Sequence, residues 1–155
     1  MLTLTSPAFK HEGTIPQEYT CDGERTKNPP LTISGVPTNA VSLVLICDDP
    51  DVPQQIKPDG VFDHWVLFNI PVTTRALAEG ESAGVVGVNG RGENGYSGPC
   101  PPPQFEPKEH RYFFRLYALD FMLHLGSNVT KEEVLQALSG HVIEQAELMG
   151  RYARR

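Results

Sequence analysis

Apolar and polar positions divide this chain into short runs separated by Gly- and Pro-rich breaks. Residues 41–47, Val-Ser-Leu-Val-Leu-Ile-Cys, form an apolar run that breaks into Asp48-Asp49-Pro50-Asp51-Val52-Pro53. A second run, residues 61–70, carries Asp63 and His64 among Val, Phe, Trp and Leu. Runs of this length, rich in β-branched and aromatic residues and bounded by Pro and Gly, predict buried strands. Leu2-Thr3-Leu4-Thr5 and Leu31-Thr32-Ile33-Ser34 alternate, the pattern of half-buried strands, with the first at an edge. Shorter strand pieces are expected near residues 75–77 and 83–88. From His110 to Asp120 the period is two. His110, Tyr112, Phe114, Leu116 and Ala118 share one face, and Arg111, Phe113, Arg115, Tyr117 and Leu119 the other.

One segment reads as a helix. Thr130-Lys131-Glu132-Glu133 is a capping box, Val134, Leu135 and Leu138 supply the apolar stripe, and Gly140 suits the position past the end. Residues 142–152 fit helix and strand equally. Residues 11–30 are loop-like. So are residues 89–110, where Gly and Pro exclude a helix or a central strand. A structureless loop of about twenty residues is long enough to suggest a functional role. About seven or eight strands against one late helix predict a mainly β, two-sheet sandwich.

Composition narrows the function. A chain of 155 residues favours one domain, 1–155. The formal charge of −6 argues against a nucleic-acid backbone as partner. No stretch reaches the roughly 18 apolar residues of a membrane span, and the N-terminus lacks a leader pattern. A cytoplasmic protein without stable membrane insertion is expected. Of the three cysteines, Cys47 belongs to an apolar run and reads as core. Cys21 and Cys100 both lie in Gly/Pro-rich loops and bridge only if those loops meet, which a reducing cytosol disfavours. The sequence leaves that pairing open.

The polar residues that could carry chemistry are Asp49, Asp51, His64, Tyr96, His110 and Tyr112, with Asp22 apart from them. Asp in a Pro-rich turn is commonly a turn former, and a lone His in a strand a satisfied core residue. The combination points further. A carboxylate holds an imidazole in one tautomer and favours its cation. Two imidazoles, a tyrosine hydroxyl and the backbone N–H groups of residues 95–98 would form a small anion-binding cup. An Asp/His/His set could instead serve metal-dependent or acid–base hydrolysis. There is, however, no nucleophile elbow, HExxH or Walker loop, and no cofactor or metal is expected.

Taken in order, several segments carry a family resemblance. They are Tyr19-Thr20-Cys21-Asp22-Gly23, Asp49-Pro50-Asp51-Val52-Pro53, Asp63-His64-Trp65, Gly95-Tyr96-Ser97-Gly98-Pro99-Cys100-Pro101-Pro102, His110-Arg111-Tyr112 and the final Glu147-Leu148-Met149-Gly150-Arg151-Tyr152. This ordered set resembles the phosphatidylethanolamine-binding protein family, in its prokaryotic Raf-kinase-inhibitor-like branch. The resemblance implies two packed antiparallel sheets, a C-terminal helix with short peripheral helices, and a last strand over residues 142–152. It also implies a surface pocket for phosphate-like anions at Asp49, Pro50, His64, Gly98, Pro99, His110 and Tyr112, with Asp22, Asp51 and Tyr96 as neighbours. Residues 103–109 depart from the family pattern and place Glu106 and Glu109 near the expected rim. The implied role is non-catalytic: binding a small anionic or phosphorylated ligand and inhibiting a kinase or a protease. Edge strands and Pro loops are compatible with a homodimer.

Overall fold

The computed structural model describes residues 1–154. The elements run in chain order as β1 (Thr3–Thr5), β2 (Gly13–Thr14), a single 3₁₀ turn (Gln17–Tyr19), β3 (Leu31–Ser34), β4 (Ser42–Asp49), β5 (Phe62–Ile70), β6 (Ala76–Leu77), β7 (Val85–Val86), β8 (Glu109–Leu119), α1 (Lys131–Leu138) and β9 (Val142–Ala153). They form a three-stranded sheet, β1-β3-β6, and a six-stranded sheet, β2-β9-β8-β4-β5-β7. All pairings are antiparallel except β2 with β9. The fold is thus the two-sheet β-sandwich that the patterning predicts. Residues 142–152, equally helix or strand by pattern, are strand. Their β-branched and small side chains pair along the whole of β8 from Glu109↔Ala153 to Leu119↔Val142.

Two apolar layers explain why the central runs do not alternate. Leu4, Leu31, Ile33 and Leu77 of the small sheet pack on Leu43, Leu45, Trp65, Leu67, Phe114 and Leu116 of the large one. On the other face of the large sheet, Val44, Ile46, Val66 and Phe68 pack on Val134 and Leu138 of α1. Strand β4 is buried on both faces, so every position from Ser42 to Asp49 is buried, and a strand covered twice reads as a continuous apolar run. β8 gives Tyr112, Phe114, Leu116 and Ala118 to the sandwich core and reaches the helix-side core only near its end, through Tyr117 and Leu119, so its alternation holds up to there.

The acidic residues after the apolar run were expected in a turn, but β4 extends through Asp48 and Asp49. Their backbones pair with Asp63 and Phe62 of β5, and both side chains find partners. Asp48 points to the helix side, where it meets Lys131 at 3.2 Å and Arg115 at 2.9 Å. Lys131 also reaches Asp63 at 2.7 Å, which pins the first turn of α1 to the sheet.

The helix begins as the sequence indicates. Thr130 accepts from the Glu133 amide while Glu133 Oε1 accepts from the Thr130 amide. Gly140 follows at φ +83°, the left-handed conformation that ends helices. Cys21 and Cys100 form a disulfide across 79 residues of sequence. It joins the 16–27 loop to the long Gly/Pro loop, and the Cys21 amide donates to the Pro99 carbonyl beside it at 3.0 Å.

Thr130→Ala removes the cap and lowers stability by about 1 kcal/mol, measured by denaturant unfolding. Replacing both Cys21 and Cys100 with Ser costs about 2–4 kcal/mol through the freed unfolded chain. The same loss appears on adding a dithiol reductant to the wild type and is absent in the double variant.

Candidate functional site

The site is built where β4, β5 and β8 end together under the long loop. By strict alternation Trp65 and Leu67, which face the sandwich core, would leave His64 on the helix side. It is not there. Cys47 pairs with Trp65 while the adjacent Asp48 pairs with Asp63, so His64 is an extra residue opposite no partner. Such a bulge re-aims side chains. His64 turns to the core side with Trp65, and Asp63 turns to Lys131 on the helix side. Tyr112 of β8 then packs against both imidazoles, with ring centroids 5.2 Å from His64 and 6.4 Å from His110.

His64, His110 and Asp49 line one cleft of about 250 Å³ together with Phe62, Arg91 and Ser97. Val52, Ile56, Gly98, Cys100, Pro101 and Pro102 complete its wall. Three long-range expectations are thereby brought together: an aspartate of β4, a histidine of β5 and a histidine of β8. Other expected residues fall elsewhere. Asp51 pairs with Arg111 at 2.8 Å. Asp22 holds Tyr152 and Arg154 at the end of β9. Tyr96 is buried behind the wall, its hydroxyl donating to the Tyr19 carbonyl at 2.9 Å. Pro50 and Pro99 flank the lining residues in sequence, and Tyr112 lies beneath the two rings. None of residues 103–109 lines the cleft.

Two of the four amides expected in the backbone cup are engaged elsewhere. The Ser97 amide donates to the His64 carbonyl at 2.9 Å and the Gly98 amide to the Arg25 carbonyl at 2.7 Å, so both are spent on holding the loop in place. Gly98 lies so close to the Tyr19 backbone that a Cβ would collide with the Tyr19 carbonyl oxygen, which makes glycine necessary there. Arg91, Ser97 and Phe62 were not singled out from the sequence. Arg91 is a charged residue within a Gly-rich loop, a faint signal. Phe62 packs on His64 at 4.7 Å between centroids, a contact that no sequence spacing announces.

The two imidazoles sit in opposite electrostatic settings. His64 Nδ1 contacts the Ser97 carbonyl at 2.5 Å. A carbonyl only accepts, so Nδ1 carries the hydrogen and Nε2 of the neutral ring is an acceptor. Burial holds the His64 pKa below its ordinary value, outweighing the Ser97 carbonyl and the nearby aspartates. His110 is also buried, which by itself lowers its pKa. The Asp49 carboxylate, accepting from Nδ1 at 2.6 Å, the charge of Asp51 and the nearby Pro107 carbonyl reverse that and hold it above the ordinary value. Among the described residues, His110 Nε2 and the Tyr112 hydroxyl are buried without a hydrogen-bond partner. Burial keeps the Tyr112 phenol protonated far into the alkaline range. Buried polar groups are normally satisfied, which sets these two atoms apart.

Ring-proton NMR will separate the histidines, His64 titrating below about 6.5 and His110 above it. The signs for stability follow. The His110–Asp49 contribution is complete below pH about 6.5 and is lost as pH rises through the folded-state pKa of His110. The His64 contribution is complete above pH about 6.5 and is lost as pH falls through its own folded-state pKa. Asp49→Asn will bring the His110 titration down to or below that of a free imidazole.

Comparison with known proteins places this geometry. A family model described as phosphatidylethanolamine-binding protein matches residues 5–153. A UPF0098 protein of Chlamydia pneumoniae is 48% identical over 154 residues, covering 99% of each chain. One of Methanothermobacter thermautotrophicus is 48% identical over 160 residues, again covering 99% of each. The crystal structure of a phosphatidylethanolamine-binding protein homologue from Chlamydia trachomatis matches with a TM-score of 0.93 at 46% identity, covering 99% of this chain and 98% of that one. Escherichia coli YbcL, a member of the mammalian PEBP family, matches with a TM-score of 0.86 at 28% identity, covering 99% of both. The sandwich, the cleft where β4, β5 and β8 end and these likenesses agree: the chain belongs to the phosphatidylethanolamine-binding protein family.

Proposed function

We propose that the cleft binds a compact oxyanion, free or as a phosphorylated group, and that the protein acts by binding rather than by catalysis. The observation that carries this is the buried His110 Nε2, which has no hydrogen-bond partner among the described residues and belongs to a ring that lines the cleft. Protonated His110 offers an N–H there. Neutral His64 offers an acceptor. Hydrogen phosphate matches such a set, because its P–OH donates to a lone pair and its other oxygens accept. Asp49 does not repel the anion as a free carboxylate would, since its charge is engaged by His110. The apolar wall of Val52, Ile56, Phe62, Pro101 and Pro102 excludes water and strengthens these polar contacts. The family's description as phosphatidylethanolamine-binding agrees with a phosphate-bearing ligand.

Action as an inhibitor of a kinase or a protease follows from the family resemblance and extends this binding role to a protein partner. The competing hydrolase reading is weaker. Asp49 is committed to His110. Among the described residues no group of three or more His, Cys, Asp and Glu side chains could hold a metal ion. A cytoplasmic setting is also less favoured than the sequence suggested. No helix among the described residues is long and apolar enough to cross a membrane, but the Cys21–Cys100 bridge belongs to oxidising surroundings.

Calorimetric titration with inorganic phosphate at pH 6 will show saturable binding that weakens as pH rises through the His110 pKa. His64→Ala will weaken it about tenfold or more, the loss of one hydrogen bond to a charged ligand. Equal binding by wild type and variant removes the cleft from consideration. Stoichiometric zinc or iron in the purified protein would favour the hydrolase instead.

A further inference from the structure

We propose that Arg91 and Ser97 form the anion-selecting wall of the cleft, Arg91 through an unpaired guanidinium charge and Ser97 through a hydroxyl hydrogen turned to the ligand. The inference rests on the oxyanion reading and names the residues that make the cleft prefer charge.

Ser97 is the hub. It is 1% exposed and lines the cleft. Its Oγ receives Nη1 of Arg25 at 3.0 Å and Nε of Arg91 at 3.1 Å. A hydroxyl has two lone pairs and one hydrogen. Both lone pairs are engaged, so what remains is the O–H, and among the described residues it meets no acceptor. Two charged donors on one oxygen polarise that O–H and make it a stronger donor. The same engagement makes Ser97 a poor nucleophile, so its role is to hold an anion rather than to attack a substrate. The residue also fixes His64 through its backbone, taking the imidazole N–H on its carbonyl and giving its amide to the His64 carbonyl. Arg91 and His64 are therefore both held by Ser97.

The two arginines differ in what balances them. Arg25 meets Glu93 at two points, 2.9 Å and 3.3 Å, and its charge is neutralised there. Arg91 makes no ion pair among the described residues, although Glu93 is near enough to feel its field. Of the other charged groups at the cleft, Asp49 and His110 offset each other, and burial disfavours charging of His64. Arg91 thus leaves the cleft with a surplus positive charge on a chain of net charge −6. Without it the cleft presents hydrogen-bond donors but no net attraction, and a neutral ligand would compete on equal terms. The fork of a guanidinium suits an oxyanion, and with Nε on Ser97 its two Nη groups remain for the ligand.

The test titrates inorganic phosphate at pH 7 into wild type, Arg91→Gln, Arg91→Lys and Ser97→Ala by calorimetry, at two ionic strengths. Arg91→Gln is expected to bind about tenfold or more weaker and to lose much of the salt dependence. Arg91→Lys keeps the charge without the Ser97 bond and falls between. Ser97→Ala weakens binding about threefold to tenfold. In the free protein, Arg91→Gln also raises the His64 pKa, because the Arg91 charge opposes protonation of that ring. Arg91 is exposed, so its variants retain the fold and carry the test even if Ser97→Ala proves unstable. Wild-type affinity in Arg91→Gln, with binding abolished in His110→Ala, overturns the inference and leaves the oxyanion reading standing. No phosphate binding by the wild type overturns both.

Discussion

Strand β5 has to serve two buried layers at once, and the bulge at His64 makes that compatible with a site. Trp65 and Leu67 face the sandwich core while Val66 and Phe68 face the helix. A regular strand would continue this alternation and send His64 under α1, where a buried imidazole would meet Val and Leu. One extra residue against Cys47 and Asp48 resets the phase. A second irregularity, between Leu43 and Leu45 of β4, resets it again near Asn69, which takes a left-handed φ of +52° and binds the backbone of Leu123 through its amide. Bulges near functional sites are common for this reason. The cleft, the Tyr112 contact with both rings and the separation of Asp49 from Asp63 all depend on the first shift.

The second requirement is a wall. A long Gly/Pro loop has no ladder of its own and needs contacts from elsewhere to stay in place. They come from the 16–27 loop: the Cys21–Cys100 disulfide, the Gly98 amide on the Arg25 carbonyl, the Arg25 guanidinium on Ser97 and Glu93, and the Tyr96 hydroxyl on the Tyr19 carbonyl. The loop held in this way contributes side chains and shape to the cleft.

The strand ends divide their charges by face. On the helix side Asp48, Asp63, Lys131 and Arg115 form a mutual network. On the cleft side Asp49 accepts from His110 and from the Asp51 amide, and His64 faces a carbonyl. Two histidines near one tyrosine therefore have opposite tendencies, one with its pKa held below the ordinary value and one above it. Environments that push titratable groups apart cluster at functional sites.

Much of this was legible in the residues themselves. The double burial of β4 shows as an unbroken apolar run, the one-sided burial of most of β8 as alternation, and the helix start as Thr130 with Glu133. The ordered motifs marked Asp49, His64 and His110 for a common hollow, since each sits where an apolar run meets a turn. Local pattern could not show that β5 slips phase, because a bulge depends on which residue of the neighbouring strand is paired. For the same reason it left residues 142–152 undecided until β8 supplied a partner, and left Cys21 and Cys100 unjoined until two loops far apart in sequence were packed. It also overcounted the site. Tyr96, Asp22 and Asp51 look chemically apt, but long-range partners at Tyr19, Tyr152 and Arg111 already engage them. Arg91 and Ser97 went unnoticed, because an arginine and a serine in a loop acquire meaning only from the groups that tertiary contact brings to them.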